Sequence, residues 1–154
     1  MARVQWNSAA ANKLQVLAEQ QLVKIGFQME ADIKRIFGPG TRNVYMKGKN
    51  KNIPHTASAP GEPPAVDTGR LRASISTNWS RSGMSSSKVG GQAGSEDGVM
   101  NPGSDINQFK VVVGTRVQYA PWLEFGTSRM AARPFMRPIV EKFRPIVNRL
   151  FGSK

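Results

Sequence analysis

The 154-residue chain has no cysteine and one histidine, His55, and only ten carboxylates stand against 22 lysines and arginines. Without cysteine, disulfides and thiolate metal sites are excluded. A lone histidine between Pro54 and Thr56 reads as a solvent-facing loop residue rather than a base or ligand. The carboxylates fall in no metal-ligand spacing: Glu96 and Asp97 form a loop pair, and Glu30 and Asp32 lie off one helical face. No serine sits in a nucleophile-elbow pattern. No apolar run approaches the roughly 18 residues of a membrane span, and the N-terminus shows no signal-peptide core, so a soluble intracellular protein is expected. These absences argue against hydrolase, nuclease and metalloenzyme chemistry, with no catalytic residue, cofactor, metal or small-molecule substrate expected.

What is abundant is positive charge. The formal net charge is +12, which suits nucleic acid or another polyanion, and equally a basic protein whose arginines serve solubility and subunit contacts. The cations are scattered rather than gathered in one block. Length allows one domain with a real core. The 25 glycines and prolines concentrate in two middle segments, which predicts a folded frame with two long flexible loops.

From the N-terminus, Leu14, Ala18, Leu22, Ile25, Met29, Ile33 and Ile36 recur at helical spacing, predicting a helix over about 8–37 capped by Asn7 or Ser8. Gly38 and Pro39 stop it. At about 1.5 Å per residue the rod is about 45 Å long. It overhangs a domain this small, leaving part of it for a neighbouring subunit. Residues 40–66 read as a loop and extended arm: Lys47, Lys49 and Lys51 form a basic tip, and the prolines of 59–66 stiffen the arm. Asp67-Thr68-Gly69 matches the aspartic-protease tripeptide. However, Arg70 and Arg72 would hold its carboxylate ionised, and the β-rich remainder of such an enzyme is missing. A helical turn over 69–74, capped by Asp67 or Thr68, is the better reading. Ile75, Thr77 and Trp79 then alternate with polar residues as a half-buried strand. Residues 80–108 read as a Ser/Gly-rich loop carrying Lys88. Strands are expected over 109–113 and 116–120, and a last helix over about 134–151. There Arg137-Pro-Ile-Val is echoed by Arg144-Pro-Ile-Val, Ile139, Phe143, Ile146 and Leu150 share a face, and Pro145 should kink the helix. The fold class is therefore α+β: long N-terminal and C-terminal helices on a small, mostly antiparallel sheet.

Residues 114–138 are the densest stretch. Tyr119, Trp122 and Phe125 fall within seven residues, followed by Phe135, with Glu124 as the one carboxylate among Arg116, Arg129, Arg133 and Arg137. The stretch reads as a corner joining sheet to helix. Glu124 is expected to pair with Arg129 or Arg133, within the corner or across a subunit boundary.

Two motifs resemble the small tail-component, or neck, proteins of long-tailed bacteriophages. One is Ala59-Pro-Gly-Glu-Pro-Pro-Ala-Val-Asp-Thr-Gly-Arg-Leu-Arg-Ala-Ser-Ile75. The other runs from Val113-Gly-Thr through Tyr119-Ala-Pro-Trp-Leu-Glu-Phe-Gly-Thr-Ser-Arg129 to Arg133-Pro-Phe-Met-Arg-Pro138. The resemblance implies an α+β structural protein of virion assembly, with no catalytic residues. It would act at the head–tail junction as a tail-completion or connector ring component, in the virion and, during assembly, in the host cytoplasm. Its partners would be copies of itself and adjoining connector or tail proteins. Tyr119, Trp122, Glu124, Phe125, Arg129, Arg133, Phe135 and Arg137 are then candidates for the subunit interface or structural corner. Lys47, Lys49, Lys51 and Lys88 are candidates to face the lumen or DNA. The alternative is a basic nucleic-acid-binding module that contacts phosphates through its scattered lysines and arginines.

Overall fold

A computed structural model describes residues 8–40, 44–47, 53–81, 84–86 and 109–152. The architecture is α+β. Its order is α1 (Ser8–Ile36), β1 (Val44–Lys47), β2 (Ile53–Thr56), α2 (Arg70–Ser74), β3 (Ser76–Arg81), β4 (Met84–Ser86), β5 (Lys110–Gly114), α3 (Ala120–Phe125) and α4 (Arg137–Phe151). Strands β4, β3 and β5 form an antiparallel sheet with β3 in the centre, while β1 and β2 pair antiparallel by themselves.

The sheet meets α1 at a glycine. Thr77 pairs with Val113 and Trp79 with Val111 across β3 and β5, so these four side chains share the face that α1 covers. A Cβ on Gly26 would lie 2.7 Å from Val111 Cγ1 and 2.8 Å from Thr77 Cγ2. Only glycine lets helix and sheet approach this closely, and Thr77 Oγ1 donates to the Gly26 carbonyl at 3.1 Å. At this crossing and C-terminal to it the helix enters the core. Ile25, Ile33 and Phe37 are buried together with Leu71, Ile75, Val117, Phe135, Ile139 and Phe143. N-terminal to it, Leu14 is 68% exposed and Leu17 is exposed too.

Helix α4 returns along α1 in the opposite sense: Phe135 packs on Phe37, ring centroids 5.3 Å apart, and Lys142 Nζ reaches Asp32 Oδ2 at 2.6 Å. Its buried stripe is Ile139, Phe143 and, in part, Val147. Ile146 and Leu150, expected on that stripe, are exposed, because the buried row follows the i,i+4 ridge through Ile139, Phe143 and Val147, which is inclined to the helix axis. The helix also runs on through Pro145. Both Pro145 and Glu141, whose carbonyl loses its amide partner there, lie on the exposed side, where water can take that bond.

Several boundaries differ from those expected. The segment 40–66 is not all loop, since the β1–β2 hairpin lies within it; four-residue strands, one containing Pro54, are too short to show a period. Residues 116–120 are not a strand. Thr115 Oγ1 accepts the Val117 amide at 3.1 Å and lies 2.6 Å from Ser74 Oγ, so side-chain bonds turn the chain just after β5. Ser76, Asn78 and Ser80 are buried as well as Ile75 and Thr77, so β3 is covered on both faces rather than one. In the loop expected over 80–108, β3 extends to Arg81 and β4 follows; residues 87–108 lie outside the described residues. Helix α4 starts at Arg137 rather than 134.

Candidate functional site

The corner is built around one buried carboxylate. Pro121 sits in the first turn of α3, where its fixed φ is favourable. The six-residue helix then turns Leu123 and Glu124 inward and Trp122 and Phe125 outward. Gly126 ends it with φ 76°, and a Cβ there would lie 2.8 Å from both the Ala132 nitrogen and the Met130 oxygen. Thr127 and Met130 close a tight turn through reciprocal backbone bonds of 2.8 and 3.3 Å. The returning segment is held by the Arg133 amide, which donates to the Leu123 carbonyl at 2.7 Å. That return places Glu124 beneath the start of α4. Its Oε2 accepts the amides of Phe135 at 2.8 Å and Met136 at 2.9 Å, and its Oε1 that of Arg137 at 2.9 Å.

Glu124 therefore serves as a remote cap. The first amides of a helix lack intrahelical partners, and Met136, at the cap position, offers no side-chain bond. A carboxylate there satisfies three donors and complements the helix dipole. The expected pairing of Glu124 with Arg129 or Arg133 is thus corrected. A carboxylate only 7% exposed is committed to backbone amides, while Arg129 is exposed on the turn and Arg133 Nη2 reaches the Ser58 carbonyl at 3.3 Å.

The other candidates divide by direction. Phe135 is 1% exposed, and Tyr119 packs half-buried against the same core. Trp122 is 60% and Phe125 68% exposed. The Arg137 guanidinium lies 5.6 Å from the Phe125 ring centroid, within cation–π range. The corner thus presents two aromatics and an arginine outward from a frame closed by the Glu124 hydrogen bonds. Of the lysines expected to face a lumen or DNA, Lys47 lies in β1, and Lys49, Lys51 and Lys88 fall outside the described residues.

Beside the corner lies the arm. The Gly61 amide donates to the Ala132 carbonyl at 2.9 Å and the Val66 amide to the Gly38 carbonyl at 2.9 Å. Arm and corner enclose an open cleft of about 560 Å³, lined among others by Phe37, Ser58, Arg70, Arg72, Leu123 and Arg133. His55, expected to face solvent, belongs to this region instead. Its side chain is only 13% exposed and its Nδ1 is 3.7 Å from Asp67 Oδ1, because β2 turns it toward the arm. This docking had no local signal in the sequence, since its bonds join backbone groups, and the Arg133 side chain to the Ser58 carbonyl, across segments far apart in the chain. Among the described residues no three His, Asp or Glu side chains converge, and no helix is long and apolar enough to cross a membrane.

No protein-family model matches the chain, and comparisons with curated proteins and with solved structures found no match either.

Proposed function

We propose that the chain is a non-enzymatic assembly protein of a long-tailed phage virion, a ring-forming tail-completion or connector component at the head–tail junction. The observation that carries this reading is the division of the second motif. Glu124 and Phe135 lock the corner, and Trp122 and Phe125 are thereby held in water on a capped, glycine-hinged turn. Large aromatics and arginine are the residues that dominate the centres of protein interfaces, and holding them rigid lowers the entropy lost on association. The N-terminal part of α1, with Leu14 and Leu17 exposed, gives a second, aliphatic surface. Two different surfaces on one chain suit the head-to-tail contacts from which rings are built.

Deleting the corresponding gene from a phage that encodes this chain tests the reading. Filled heads and finished tails that fail to join are expected; virions of normal morphology would overturn it. The net charge of +12 supports direct phosphate contact as the second reading. Binding to n phosphates of duplex DNA would give a log–log salt slope near −0.9n. An assembly protein that meets its partners through aromatic surfaces gives a slope near zero.

A further inference from the structure

We infer that the cleft between the arm and the corner is a docking site for an acidic, extended peptide segment of a partner protein. Three observations converge on it. Its wall holds two donors without an acceptor among the described residues: Ser58 Oγ and Arg133 Nε, both buried. Ser58 as a whole is 5% exposed. A buried donor left without a partner costs about 1–3 kcal/mol, and these two lie side by side, since Arg133 Nη2 donates to the Ser58 carbonyl at 3.3 Å. The second observation is the rim, where Arg70 and Arg72 are exposed on α2. Among the described residues that line the cleft, Asp67 is the one carboxylate against Arg70, Arg72 and Arg133, so their summed charge is positive. The third is the apolar lining: Phe37, Leu71 and Leu123 line the cleft, Phe37 and Leu71 as buried core residues.

A guanidinium offers a carboxylate a planar fork of donors. An apolar lining with a cationic rim fits a carboxylate carried among apolar side chains. The arm itself is the kind of wall along which an extended chain lies, because its prolines hold it open. Duplex DNA fits less well. Its phosphates lie along a convex rod, and they would meet the exposed arginines without entering a concave cleft lined by apolar side chains. The cleft has this chemistry whether or not the chain belongs to a virion.

The test uses the full chain and two capped peptides, Val-Glu-Leu-Asp-Val and its amide counterpart Val-Gln-Leu-Asn-Val. Binding is followed through the Arg133 Nε–H signal in nitrogen–proton correlation spectra. The acidic peptide should shift that signal and bind about tenfold more tightly than the amide peptide, the worth of one charge-assisted pair. Arg133→Gln should remove the preference, and Arg72→Gln, at an exposed position, should weaken it about threefold. If Arg133→Gln fails to fold, Arg72→Gln and the wild-type Nε–H signal still decide. Equal binding of both peptides, no binding by either, or a shift of the signal by a short DNA duplex but not by the acidic peptide would each overturn the proposal.

Discussion

Glu124 shows how much one side chain can organise. It lies eleven to thirteen residues before the amides it accepts, so it closes the whole loop 125–134 while capping α4. Replacing it with Ala leaves three amides at a helix start without an acceptor and removes a charge that complements the dipole. Glu124→Ala should therefore cost about 2–4 kcal/mol in urea unfolding, and Glu124→Gln about half of that, because an amide retains one oxygen acceptor. A loss within the error of Ala substitutions at exposed sites would show that α4 starts without this cap. No arginine needs to change for the effect to appear, which separates the cap from a salt bridge.

At the scale of elements, the contact between α1 and the sheet turns on Gly26. A glycine in mid-helix costs about 1 kcal/mol relative to alanine, and here it is retained where Val111 and Thr77 come closest. Gly26→Val should overpack this crossing and destabilise the fold by about 1–3 kcal/mol. If the substitution stabilised the protein instead, the helix would have to stand off from the sheet. The ion pair between Lys142 and Asp32 contributes little by comparison. Lys142 is 60% exposed, and exposed pairs are worth about 0–1 kcal/mol.

These elements were unequally legible in the sequence. Helix α1 declared itself, because its apolar period runs for many turns, and the β5 run of valines did the same. The β1–β2 hairpin did not, being held by backbone pairing of four-residue strands. The aromatic corner was legible as a corner, but the role of Glu124 was not. A carboxylate near arginines in sequence suggests an ion pair, and only the return of the chain after Gly126 brings backbone amides closer than any guanidinium. The cleft was invisible for a related reason, since Ser58 and Arg133 are 75 residues apart and share no pattern.

For the whole molecule, the central claim is that Trp122 and Phe125 serve contacts between chains rather than the core of one. Phe135 provides the contrast within the same motif. Phe135→Ala should cost about 3–5 kcal/mol, as expected for a fully buried aromatic. Trp122→Ala should change stability by less than about 1 kcal/mol, since most of that side chain is already in water. The most direct measurement is sedimentation velocity on the wild-type chain and the Trp122→Ala/Phe125→Ala double variant over a range of concentrations, with circular dichroism confirming the fold of each. The prediction is a wild type that forms discrete ring-sized particles as concentration rises, and a folded double variant that remains monomeric. A double variant that assembles like the wild type, or one that unfolds as a monomer, would contradict it.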